Sequence, residues 1–226
     1  GEGIPLVCLH TAGADGRQFR HILTDEAITR HYRVLVPDMP WHGKSLPPTG
    51  FEREEYRLTT AGYTEWVLAF SAALGLDRPV VMGCSIGGRI VLNLAAEHPE
   101  RFRALIGLES AAHQQPWYDT DWLHRPDVHG GEVCAGLVSG MMAPQSPAES
   151  RHETLWMYKC SGPGVFKGDL HFYRVDGDLT VTKVWDGVTA ATFPDHAKHG
   201  ARAGKPNERF LDPSLFLEAV WAPHVG

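Results

Sequence analysis

Four short runs of consecutive apolar residues constrain this chain more than anything else in it. They are IPLVCLH (4–10), RVLVPD (33–38), VVMG (80–83) and RALIGLE (103–109). A strand that is apolar on both faces must be covered on both, and a parallel sheet sandwiched between helices does this. The stretches between the runs supply helices. Phe19, Ile22, Leu23 and Ala27 fall on one helical face, as do Tyr63, Val67, Phe70 and Leu74 within 59–75. After Ile86, the residues Ile90, Val91, Leu94 and Ala95 form a third such face, and His98-Pro99 ends it. Right-handed crossovers bring the loops after all the strands to one edge, where sheets of this kind bind ligands. His10, Asp38, Ser85 and Glu109 are therefore expected to gather at that edge.

The length, 226 residues, fits one domain with a large core. A net charge of -6 argues against nucleic acid or an anionic membrane as the main partner. No apolar run approaches the roughly 20 residues of a membrane helix. The opening GEGIPLVCLH runs straight into a strand-like segment, which predicts no signal peptide and earlier strands missing. Cys8, Cys84, Cys134 and Cys160 form no CxxC pair, so reduced thiols and a cytoplasmic setting are expected. Residues 111–178 break the strand–helix rhythm; they are rich in Trp, Met, His, Pro and Gly and predict an insertion of short helices and loops. A last helix is expected at 212–220, with Asp212 as its cap and Pro213 at its first position.

Chemistry concentrates at Gly83-Cys84-Ser85-Ile86-Gly87, a G-x-S-x-G sequence with a strand before it and a helix after it. Such a turn strains the serine backbone, and the small neighbours avoid collisions. The helix N-terminus behind the serine favours a developing oxyanion, with the Ile86 amide as one donor. With LHTAG, DMPWHGKS and AAEHPERFRALIGLES, this turn makes the chain resemble the α/β-hydrolase superfamily over residues 4 to about 110. The resemblance implies a mostly parallel, doubly wound α/β sheet in one domain spanning 1–226. Residues 111–178 would be a helical lid, and the C-terminal strands would be incomplete. It also makes Ser85 the nucleophile and places the second oxyanion amide at Ala12. Thr11 departs from the family's usual glycine, and Trp41 from a small residue. Asp38 and Ser45 are expected to hold their turn.

A serine nucleophile needs a base and an orienting carboxylate, in the family order Ser, acid, His. Glu109 sits where some branches carry the acid; Asp186 and Asp195 are the runners-up. The chain's ending implies His199 as base, with His196 next. The reading that neither reaches Ser85 stays open, because residues 179–211 are short for two strands and a helix. Trp41, Trp117, Met141 and Trp156 are candidate pocket residues. No H-E-x-x-H spacing occurs, and GCSIGGR lacks the Gly-Lys-Ser/Thr ending of a phosphate loop, so no metal or other cofactor is expected. The expected partner is a small, largely apolar ester, thioester or lactone, with a homodimer left open. A hydrolase-like binding protein without turnover, and C–C hydrolysis or perhydrolysis on the same scaffold, are the competing readings.

Overall fold

A computed structural model of the chain describes residues 1–110, 129–176 and 190–192. Five parallel strands form one sheet in the order β2-β1-β3-β4-β5. They are β1 (Ile4–Leu9), β2 (Tyr32–Leu35), β3 (Val80–Cys84), β4 (Ala104–Leu108) and β5 (Ala190–Thr192). The first four occupy the four apolar runs. Side chains alternate across each strand, and the sheet sorts its core accordingly. Val7, Leu9, Val81 and Leu105 face one cluster; Leu6, Cys8, Val80, Met82, Ala104 and Ile106 face the other. Each fully buried aliphatic side chain there contributes roughly 1.5–3 kcal/mol.

Helices cover both faces. Phe19, Ile22 and Ile28 close the second cluster, from a 3-10 turn at Gly16–Phe19 and from α1 (Arg20–Thr24) and α2 (Glu26–Thr29). The continuous amphipathic helix expected here is broken, because the Asp25 side chain accepts the Ala27 amide and starts a new helix. Leu23 and Ala27 consequently lie exposed. The first cluster is covered by α3 (Thr60–Ala73) and α4 (Ile86–Glu97). In α3 the buried residues are Tyr63, Thr64, Val67 and Ser71, so the inward face is rotated from the expected one and Leu74 points outward. In α4 the expected Ile90, Val91, Leu94 and Ala95 are all buried.

Between β4 and β5 the chain forms α5 (Gly130–Met141), α6 (Ala148–Lys159), α7 (Val165–His171) and a π-helical turn at Phe172–Asp176. Leu170, Phe172 and Tyr173 join the first cluster, so this segment packs into the same core as α3 and α4. The chain steps from β1 to β2 on one side, then crosses back over β1 to β3. The carboxyl ends of β1 and β3 therefore flank the point where the winding reverses, the place where open α/β sheets take their ligands. The residues following those two ends are His10–Gly13 and Ser85.

Candidate active site

Ser85 follows β3 and precedes α4 with φ 57° and ψ -110°, a left-handed conformation that side chains rarely adopt. The surroundings impose it. The Ser85 amide donates to the Leu108 carbonyl at 2.9 Å, and its own carbonyl accepts from the Arg89 amide at 2.9 Å. The turn is so tight that a methyl on Gly83 would lie 2.2 Å from the Gly87 carbonyl carbon. A methyl on Gly87 would lie 2.5 Å from the Leu9 carbonyl oxygen, at the end of β1. Ser85 stays half-buried. Its Oγ lies 3.4 Å from the hydroxyl of Tyr173, whose ring is capped by the Arg89 guanidinium 4.8 Å from its centroid. Burial pushes the Tyr173 phenol up, while the Ser85 contact and the Arg89 charge oppose that rise.

The loop after β1 spends its amides one by one. Thr11 donates to Gln18 Oε1 at 2.9 Å, Gly13 to Asp169 Oδ2 at 2.7 Å, and Ala14 to the Thr11 carbonyl at 3.2 Å. The Ala12 amide has no partner among the described residues. It is held open from behind: the Thr11 carbonyl takes both the Ala14 amide and His10 Nδ1 at 3.0 Å. In a planar trans peptide the Ala12 N–H must point the opposite way. His10 Nε2 accepts the Met39 amide at 3.2 Å, which assigns the proton to Nδ1 and leaves the ring neutral. Its complete burial and the neighbouring His42 push its pKa down to about 4.

Behind this loop lies a buried polar cluster that sequence reasoning missed. The Asp169 carboxylate, on α7 and fully buried, takes three donors: the Gly13 amide, His42 Nε2 at 2.9 Å and the Tyr56 hydroxyl at 2.9 Å. His42 Nδ1 meets the Pro40 carbonyl at 2.9 Å, so both ring nitrogens face acceptors. Burial opposes charge on His42, but Asp169 outweighs it with its charge and hydrogen bond, and the pKa is raised. The His10 and His42 rings lie 4.7 Å apart, one neutral and one disposed to hold a proton. The available sequence signal was a charged residue set among Phe166, Leu170 and Phe172.

The model of the alpha/beta hydrolase fold matches residues 4–128, more than half of the chain. The chain belongs to this family. Residues 4–128 of this alpha/beta hydrolase hold the elbow, the loop after β1 and the four strands before β5. It is 34% identical over 111 residues to a pimeloyl-acyl-carrier-protein methyl ester esterase from Aeromonas hydrophila, 49% of this chain and 39% of that protein. In the curated relatives the match spans less than half of their own length. Among solved structures, a hydrolase from Pseudomonas aeruginosa PA01 superimposes with a TM-score of 0.71 at 20% identity, over 100% of this chain and 91% of that one. The enol-lactonase of Burkholderia xenovorans LB400 does so with 0.65 at 21%, over 78% and 67%.

Within this hydrolase fold the other residues nominated from sequence separate. Ile86 is buried at the first position of α4, next to Ser85. Glu109 follows β4 with φ 49° and is exposed. Asp38 holds its turn as expected, accepting the Gly16 amide at 2.7 Å and the Lys44 amide at 2.8 Å, while Ser45 Oγ donates to its carbonyl. Trp41, with φ 74°, is half-buried and stacks on Tyr56 at 5.3 Å, joining the wall of the Asp169 cluster. Met141 and Trp156 are each 65% exposed, the exposure of surface side chains. His199, His196, Asp186, Asp195, Trp117 and the helix expected at 212–220 lie outside the described residues. All four cysteines are free thiols, and no metal-holding cluster occurs among the described residues. No described helix is long and apolar enough to cross a membrane.

Proposed function

We propose that this protein is a serine hydrolase acting on a small, largely apolar ester, thioester or lactone. The carrying observation is the pairing of a strained Ser85 with two unspent amides, one at the start of α4 and one in the loop after β1. In this reading Ser85 Oγ attacks the carbonyl carbon, and the Ile86 and Ala12 amides hold the oxyanion. A histidine from the C-terminal part, His199 foremost, takes the Ser85 proton and passes it to the leaving group. Glu109 orients that ring. Water then attacks the acyl-enzyme, returns its proton through the same histidine and releases the carboxylic acid. Helices α5–α7 act as a lid, and Trp41 borders the site. The esterase and enol-lactonase named among the similar proteins support carbonyl substrates of this class.

The test is active-site labelling with a fluorophosphonate probe, together with turnover of short-chain nitrophenyl esters. The parent labels, and Ser85→Ala neither labels nor turns over, with a loss of roughly ten-thousand-fold. Equal labelling of the two ends the proposal. Glu109→Gln then reports on the acid: a large loss keeps the role there, and a parent-like rate moves it to Asp186 or Asp195.

A further inference from the structure

We infer that Asp169 is a positioning residue for the oxyanion loop, fixing from α7 the peptide plane that follows Ala12; this rests on the hydrolase reading above. Two peptide units flank the Ala12 Cα. The first, Thr11–Ala12, is set by His10 Nδ1 and the Ala14 amide on the Thr11 carbonyl. The second, Ala12–Gly13, is set by one contact, the Gly13 amide on Asp169 Oδ2 at 2.7 Å. With both planes fixed, the Ala12 amide is aimed before substrate arrives. An oxyanion donor acts most strongly when it needs no reorganisation.

Gly13 has φ 67° and is pressed from the same side. A methyl there would meet the Phe166 side chain at 3.1 Å and Cys134 Sγ at 3.3 Å. The arrangement holds Asp169 itself in place. A buried carboxylate needs several donors, and this one receives His42 Nε2 on the oxygen that takes Gly13 and the Tyr56 hydroxyl on the other. The backbone of α7 is held to the same region, with the Leu58 amide donating to the Gly168 carbonyl at 3.0 Å. Helix α7 thus reaches 156 residues back along the chain to the loop that presents the Ala12 amide.

The experiment uses the full chain and compares Asp169→Asn, Asp169→Leu and the double variant Asp169→Leu/His42→Leu with the parent. The double variant matters because removing one member of a buried charged pair strands the other, whereas removing both together is tolerated far better. Expected for the Leu variants is a fall in kcat of roughly 10- to 100-fold with KM within about twofold, since the donor acts on the transition state. Asparagine still accepts the Gly13 amide through its carbonyl oxygen, so Asp169→Asn keeps kcat within about threefold of the parent. Hydrogen exchange at the Gly13 amide is slow in the parent and the Asn variant and fast in the Leu variants. A folded Leu variant with parent-like kcat or unchanged Gly13 exchange overturns the inference, as does an equal loss in the Asn and Leu variants. Retained turnover in Ser85→Ala overturns the hydrolase reading instead, and the Gly13 exchange result tells the two failures apart.

Discussion

The turn at Ser85 and the cluster around Asp169 lie at the same end of the sheet and are built in opposite ways. The turn is local. Residues 83 to 87 take their shape from backbone packing, on one another and on Leu9 and Leu108 at the adjoining strand ends, and a polar hydroxyl is the product. The cluster is made of side chains whose partners are 113, 127 and 156 residues apart, and a fixed backbone amide is the product. One region spends conformational strain to display a group. The other spends buried charge to hold a loop that displays a group. The difference teaches that a strained residue needs rigid neighbours, whereas a buried ion needs enough donors, and the two respond to different perturbations.

The largest effect is expected where the local construction is broken. Gly83→Ala places a methyl 2.2 Å from a backbone carbon of α4, which no rotamer change relieves. The helix must shift, and a loss of about 4 kcal/mol or more follows, the range reserved for such collisions. Chemical denaturation of the variant checks this. A loss below about 1 kcal/mol would mean that β3 and α4 separate easily and that the turn does not dictate the serine conformation.

The cluster is broken by protons instead. His10 is held neutral, with its pKa pushed down to about 4 from an ordinary value near 6.5. Below pH 6.5 the unfolded chain takes a proton that the folded chain refuses until about pH 4. Stability therefore falls with pH across that window, by up to about 3 kcal/mol from this ring. His10→Gln keeps an acceptor for the Met39 amide and flattens the slope. His42 runs the other way: its folded pKa is raised, so its contribution is complete at low pH and is lost as pH rises through the raised value. His42→Leu removes that alkaline decline. Unfolding free energies measured at a series of pH values separate the two, and a slope unchanged by either variant would dismiss the cluster as electrostatically silent.

These opposite constructions also decide what could be read in the sequence. The elbow was legible because its strand, turn and helix are contiguous, and because small residues around a serine have a steric reason. The four strands were legible as apolar runs. Ala12 was nominated by resemblance, and the structure adds why that amide is open: Thr11, Gly13 and Ala14 have each given theirs away. Asp169 was hidden because nothing near it in the chain reveals Gly13, His42 or Tyr56. Periodicity failed where a cap intervened, at Asp25, and where polar Thr64 and Ser71 took buried positions in α3. In each of these cases a hydrogen bond or a tertiary contact outweighed the hydrophobic pattern.

A smaller effect sharpens the claim that the elbow stores strain. A residue at φ 57° and ψ -110° costs on the order of 1–3 kcal/mol unless it is glycine. Ser85→Gly and Ser85→Ala both remove the hydroxyl, but only glycine relaxes the backbone. The glycine variant is expected to be more stable than the alanine variant by about 1 kcal/mol, after its extra unfolded-state entropy is counted. Equal midpoints in denaturant would mean that the turn is comfortable and that the serine conformation holds no strain.

The smallest expected effect lies where the Ser85 turn meets the helical segment that carries Asp169. Tyr173 follows α7, and its hydroxyl lies 3.4 Å from Ser85 Oγ, a long and therefore weak hydrogen bond. A phenol whose pKa burial has raised is a poor base at neutral pH, so under the proposed mechanism it does not take the Ser85 proton. It competes for that proton in the resting state. Tyr173→Phe keeps the ring beneath the Arg89 guanidinium and removes the hydroxyl that meets Ser85. The expected result is a rise in kcat/KM of up to about threefold, the free energy of one weak neutral hydrogen bond. Steady-state kinetics on a short nitrophenyl ester measures it. A fall of 30-fold or more, far beyond what one weak hydrogen bond supplies, would place the Tyr173 hydroxyl in the chemistry itself. The segment after β4 would then supply a reacting group as well as the Asp169 contact.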